Sequence, residues 1–94
     1  MIIKQFTVVA YDIRNNKRRS KVAKILEGFG ERVNYSVFEC MLTPKQSEEM
    51  IRQLSEVILP SSDSILLYTL CRTCIPKRHH IGLAVRGLDM VIVV

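Results

Sequence analysis

The stretch FTVVAYDIRNNKRRSK, residues 6–21, carries a strand straight into a helix. Residues 6–13 are a short run of Val, Phe, Tyr and Ile bounded by polar residues, the pattern of a β-strand. Alternation puts Phe6, Val8, Ala10 and Asp12 on one face and Val9, Tyr11 and Ile13 on the other, so both faces are apolar and both should be covered. Asn15 or Asn16 then caps a helix in which Val22, Ile25, Leu26 and Phe29 recur at i, i+3, i+4 and i+7, with Gly28 and Gly30 available to end it. Two features lack a structural reason. Asp12 is a lone carboxylate at the end of an apolar strand, and Arg14, Lys17, Arg18, Arg19 and Lys21 crowd the helix start. Cations there oppose the helix dipole, at about 0.3–1 kcal/mol each when exposed. Bound phosphate would answer them; a solvated face with Glu27 and Glu31 nearby is the other reading.

Beyond this unit, ERVNYSVFECMLT (31–43) is β-branched and aromatic and is interrupted near Asn34–Ser36, so it counts as two short strands. Thr43, Pro44 and Gln46 stand at the cap, first-turn and capping-box positions of a second helix. Its apolar stripe is Met50, Ile51, Leu54, Val57 and Ile58, and Pro60 stops it. DSILLYTL (63–70) is a further strand, and DMVIVV at the C-terminus looks like another. The order matches a ferredoxin-like βαββαβ sandwich of the α+β class with an extra C-terminal strand. Both helices would lie on one sheet face, leaving the other to pack on a second copy in a two-fold homodimer.

The 94 residues fit one domain, 1–94, and 48% hydrophobic residues against 24% charged are too apolar for disorder. A net charge of +5, from 14 Lys+Arg against 9 Asp+Glu, favours a polyanion such as nucleic acid. No apolar run approaches the roughly 20 residues of a spanning helix, and the start MIIKQFTVV flows into a strand rather than a cleavage site. No membrane association and a cytoplasmic location are therefore expected. Three cysteines, an odd number, fit a reducing compartment.

Asp12 can serve chemistry in one specific way. Mg²⁺ is held by one or two carboxylates with waters and phosphate oxygens, so a symmetric dimer that juxtaposes two Asp12 side chains could build a site from one residue type. The bland alternative is that Asp12 caps the helix or pairs with Arg14. Lys77 and Arg78, followed by His79 and His80, extend the basic surface. Cys71 and Cys74 form a CxxC, but a zinc site wants four converging ligands, so a metal-binding module is the weaker alternative. Cys40 reads as a small buried hydrophobe, and Tyr35, Phe38 and Tyr68 as core. No Ser/His/Asp set or phosphate-cradling glycine loop is present, and SVFECML lacks the aromatic pattern of an RNA-recognition sheet.

VVAYDI, KRRSKVAKILEGFGERVNYSVFECML and DSILLYTLC together resemble the CRISPR-associated protein two family, over nearly the whole chain. The most specific parts are the strand-ending Tyr11–Asp12 pair, the basic helix start and the GxRVxxSVFE motif of residues 30–39. Asn34 stands where glutamine is common in that family. The resemblance implies a homodimer whose C-terminal strand joins the partner's sheet, and a role in CRISPR spacer acquisition beside the integrase, CRISPR-associated protein one. It implies either a Mg²⁺-dependent endonuclease on RNA or DNA, or a non-catalytic scaffold holding duplex DNA. Carried over, Asp12 is the metal ligand, and Tyr11, Arg19, Arg32 and Phe38 support catalysis. Nucleic acid, as duplex DNA or single-stranded RNA, would meet Arg14, Lys17, Arg18, Arg19, Lys21, Lys77 and Arg78.

Overall fold

The computed structural model describes residues 3–70 together with Lys77, His79 and Ile81. The expected C-terminal strand, Cys71, Cys74 and Arg78 lie outside the described residues. The elements follow in the order β1 (Gln5–Asp12), α1 (Asn16–Glu27), β2 (Gly30–Asn34), β3 (Val37–Leu42), α2 (Pro44–Val57) and β4 (Ser64–Leu70). They form one four-stranded sheet in the order β2-β3-β1-β4, with every neighbouring pair antiparallel. This is the βαββαβ arrangement read from the sequence.

Strand alternation sorts the side chains into a covered face and an open one. Val9, Tyr11 and Ile13 join Phe38, Cys40 and Leu42 of β3 under Val22, Ala23 and Leu26 of α1 and Met50 and Leu54 of α2, forming the core. On the opposite face β1 presents Val8, Ala10 and Asp12, in register with Tyr68, Leu66 and Ser64 of β4. Met41, Leu66 and Tyr68 are each about half exposed there. Within the single chain the helices cover one face, and the other is the face expected to pack on a second copy.

Both helix starts follow from local chemistry. The Asn15 side chain accepts from the Arg18 amide at 2.9 Å, satisfying an orphan donor at the first turn of α1. Thr43 and Gln46 form the reciprocal capping box, with Pro44 at the first turn. The stripe of α2 is narrower than its sequence pattern: Ile51 is exposed, because one residue on from Met50 lies about 100° round the helix, off the line through Met50 and Leu54. Gly30 opens β2 rather than ending α1. A Cβ there would collide with the Glu39 carbonyl oxygen and the Cys40 sulfur across the β2–β3 ladder. Two aromatics assigned to the core are instead exposed: Tyr68 lies on the open sheet face and Tyr35 in the turn between β2 and β3.

Candidate functional site at the end of β1

Chain segments from four parts of the sequence meet where β1 ends. Asp12 pairs in register with Ser64 at the start of β4. On the other side the β2–β3 turn reaches Tyr11, whose amide donates to the Ser36 carbonyl at 3.0 Å and whose hydroxyl donates to the Tyr35 carbonyl at 3.2 Å. The β1–α1 loop is fixed from α1: Arg19 donates through Nη1 to the carbonyls of Ile13 (3.0 Å) and Arg14 (3.2 Å), and through Nη2 to the Asn16 side chain.

Neighbours in sequence, Tyr11 and Asp12 face opposite ways and do opposite things. Tyr11 is buried and stacks on Phe38 with ring centroids 6.3 Å apart and an interplanar angle of 29°. Its hydroxyl pKa lies above the usual phenol value because burial disfavours the anion, an effect that Arg32 and Arg19 partly offset. At neutral pH it is a proton donor, already engaged to the Tyr35 carbonyl, and not a general base. Asp12 is exposed, and its carboxylate accepts no hydrogen bond among the described residues.

Phe38 is fully buried and its ring also carries the Arg32 guanidinium, whose central carbon lies 5.3 Å from the centroid. Arg32 Nε is buried with no hydrogen-bond partner, so this cation is held by the ring face and by its place beside Tyr11. Of the residues that the resemblance groups as catalytic, Tyr11, Arg32 and Phe38 are therefore packed together beneath the end of β1. Arg19 braces the loop beside them. Asp12 is presented to solvent with its carboxylate free, whereas the exposed Arg19 has its guanidinium engaged by the loop.

The basic block divides in the same manner. Arg14, Lys17 and Lys21 are exposed and form no ion pair among the described residues; Lys77 is likewise exposed. Arg18 differs. Its Nε donates to Asp63 Oδ2 at 2.7 Å and its Nη2 to Oδ1 at 3.2 Å, a two-pronged pair with a carboxylate whose side chain is 1% exposed. Asp63 also accepts from the Leu59 amide at 2.9 Å. The Arg18 hydrogen bonds, then the Leu59 amide, hold its pKa below the usual carboxylate value. The compensation sought for the helix start thus comes, for Arg18, from a residue 45 positions away. Sequence reading missed Asp63 because the signal was only a lone acid before a strand.

The donor set bears on Mg²⁺ in two ways. A carboxylate presented with free oxygens on a rigid strand end is the hard ligand that Mg²⁺ takes. Among the described residues, however, no three Asp, Glu, His or Cys side chains gather anywhere. Among the described residues, a site built on Asp12 would take its further ligands from waters, substrate or a second copy. Cys40 offers nothing further, since burial first, and Glu39 second, push its thiol up to about 11.

Known proteins resemble this chain along most of its length. The model of the family CRISPR associated protein Cas2 matches residues 5–78. A Chloroflexus aurantiacus protein named CRISPR-associated endoribonuclease Cas2 3 is 38% identical over 87 residues, 93% of this chain and 94% of that protein. The crystal structure of Streptococcus pyogenes Cas2 superposes with a TM-score of 0.76 at 32% identity, covering 82% of this chain and 99% of that one. A chain of a partial Cas6-RT-Cas1–Cas2 complex superposes with a TM-score of 0.72 at 28% identity, covering 89% of this chain and 99% of that one.

Proposed function

The chain belongs to the Cas2 family of CRISPR-associated proteins, and we propose that it is a dimeric, cytoplasmic CRISPR adaptation protein and a Mg²⁺-dependent endonuclease on RNA or DNA. The observation that carries the nuclease reading is Asp12, an unpartnered carboxylate at the end of a strand whose next-door residue is locked into the core. The nuclease activity in the names of relatives agrees with it. Two copies meeting at the ends of β1 would bring two Asp12 carboxylates to one Mg²⁺, which supplies Lewis-acid polarisation of a phosphodiester when bound.

The chain's own residues do the rest. Asp12 contributes anionic oxygens from a backbone that Tyr11, Arg19 and the β4 pairing hold still, so little ordering is left for the moment of binding. Arg14, Lys17 and Lys21, with Lys77, neutralise substrate phosphates. Binding of this kind is salt-dependent, with a slope of log K against log salt of about −0.9 per phosphate contacted on duplex DNA. Arg18 is committed to Asp63 and shapes the helix start from behind.

A scaffold reading is favoured by a different observation, the half-exposed Met41, Leu66 and Tyr68 on the open sheet face. In that reading a rigid dimer joined through this face spaces copies of the integrase and holds duplex DNA along its basic surface, and Asp12 is dispensable; one structural neighbour belongs to a Cas1–Cas2 complex.

Asp12→Asn separates the two. The substitution keeps size and hydrogen bonding but removes the metal-binding charge. Cleavage of RNA and DNA oligonucleotides, followed with Mg²⁺ and with chelator, should collapse in Asp12→Asn while sedimentation gives the same oligomer and spacer integration is retained. Wild-type cleavage by the purified variant would assign the activity elsewhere and leave the scaffold.

A further inference from the structure

Consecutive arginines of α1 reach the two stretches of chain that flank Asp12. Arg19 donates to the carbonyls of Ile13 and Arg14, in the loop that leaves Asp12. Arg18 reaches the segment that enters β4, where its Nε donates to Asp63 Oδ2 at 2.7 Å and its Nη2 to Oδ1 at 3.2 Å. Asp63 immediately precedes Ser64, and Ser64 is the register partner of Asp12 in the last pair of the β1–β4 ladder. Alternation sends Ser64 to the face of Asp12 and Asp63 to the helix side, where the Asp63 side chain is 1% exposed.

The turn before β4 closes on the same residue. The Asp63 amide donates to the Leu59 carbonyl at 2.8 Å, and the Leu59 amide donates back to Asp63 Oδ2 at 2.9 Å. The last pair of a ladder has no pair beyond it and frays unless something outside the ladder holds it. Here Arg19 holds the β1 side and Asp63 the β4 side, both from the first turn of one helix. Net stability is a poor reason for the second of these ties. Charges taken out of water lose their hydration, and neutral side chains of similar size often serve a buried position as well as an ion pair or better. What a two-pronged ion pair adds over such a contact is a fixed geometry. The geometry fixed here is that of the strand end carrying the free carboxylate.

We infer that Asp63 is a positioning residue for Asp12: tied to α1 through Arg18, it fixes the start of β4 and with it the strand end from which Asp12 offers its oxygens to a divalent cation. This rests on the metal-dependent nuclease reading proposed above and adds to that site a pair, Arg18 and Asp63, that acts from the opposite sheet face. Asp63 itself touches neither the ion nor the substrate.

The test uses the full chain and neutralises both partners at once, Arg18→Met with Asp63→Asn, which leaves neither charge unpaired and keeps an acceptor for the Leu59 amide. Arg18→Lys is the second variant, since it keeps the charge but loses the fork. Oligonucleotide cleavage is measured against Mg²⁺ concentration at a temperature far below each thermal midpoint. Exchange of the amides of residues 12, 63 and 64 is followed by NMR in the absence of metal. In the double variant the half-saturating Mg²⁺ concentration should rise by about ten- to a hundred-fold, the usual loss when a group that orients a metal ligand is removed. The rate at saturating Mg²⁺ should stay within about two-fold of wild type, because the ligand itself is intact. The three strand-end amides should exchange faster by about ten-fold or more, while that of Val9, fully buried in the middle of β1, keeps its wild-type rate. Arg18→Lys should fall between wild type and the double variant in both measurements, and it decides alone if the double variant does not fold. A pair that serves only stability would lower the thermal midpoint and move neither readout. Half-saturating Mg²⁺ as in wild type, or strand-end amides as slow as in wild type, therefore overturns the inference and leaves the nuclease reading standing. If the wild type shows no Mg²⁺-dependent cleavage, the nuclease reading fails and the positioning role, with no metal to serve, fails with it.

Discussion

Phe38→Ala tests whether a residue grouped with the catalytic set acts by touching substrate or by holding the end of β1 in place. Phe38 is fully buried in the centre of the core, with Tyr11 stacked on it and the Arg32 guanidinium over its ring. Truncating a buried phenylalanine costs about 3–5 kcal/mol in lost transfer energy and residual cavity. The upper half of that range applies here, because the aromatic pair contributes about 0.5–1.5 kcal/mol beyond its area and the already unpartnered Arg32 Nε loses the ring that offsets its burial. A small domain has only about 5–15 kcal/mol in total, so Phe38→Ala should lose about a quarter of its stability or more. At about 4–8 °C per kcal/mol for a chain of this size, the thermal midpoint should fall by roughly 16–40 °C. Circular dichroism melts at one fixed protein concentration measure it. Phe38→Leu, which keeps most of the volume, should lose less than half as much and retain nucleic-acid binding and cleavage. A Phe38→Ala protein that melts within a few degrees of wild type yet has lost cleavage would refute this account, since its loss could then only be direct.

Two further outcomes follow from contacts elsewhere. Gly30→Ala forces a methyl group into the Glu39 backbone and the Cys40 sulfur, and because backbone cannot step aside as a flexible side chain can, it should destabilise by about 1–3 kcal/mol or more, read as a lower urea midpoint. Asp63 has a folded-state pKa below its unfolded value, so its contribution is present above the ordinary carboxylate pKa and disappears as pH falls through the folded one; the urea midpoint of Asp63→Asn should lie well below wild type at pH 7, and the gap should close in acid.

The elements were legible because each announced itself locally. Thr43, Pro44 and Gln46 carry the capping box in three residues, and Val22 and Leu26 repeat at the helical spacing that the sheet then buries. Exposure was harder to read. Tyr35, Tyr68 and Phe38 are all aromatics within strand-like sequence, yet one lies in a turn, one on the open sheet face and one in the core. What separates them is alternation counted from the correct register, and the irregularity between Arg32 and Asn34 shifts that count by one residue. The site was legible in part for the same reason. Asp12 drew notice as a misfit, and it is the presented carboxylate. Arg18 looked like one cation among five because its partner, Asp63, is distant in sequence and adjacent only once β4 lies beside β1.

The placement of Asp12 also ties the two proposed roles to a single surface. Alternation along β1 sends Tyr11 to the helix side, where it is anchored, and Asp12 to the other side with Val8 and Ala10. That side carries the half-exposed Leu66 and Tyr68 on the neighbouring strand. Whatever covers this apolar face therefore meets Asp12 at its margin. In the proposed dimer the covering layer is a second copy with an Asp12 of its own, and the burial that drives association is also what brings the second carboxylate. One chain then needs only one acidic residue, because symmetry supplies the other. The buried Tyr11 and Phe38 beneath, with the half-buried Arg32, hold the strand end that carries that carboxylate, and their loss should be felt as stability before it is felt as chemistry.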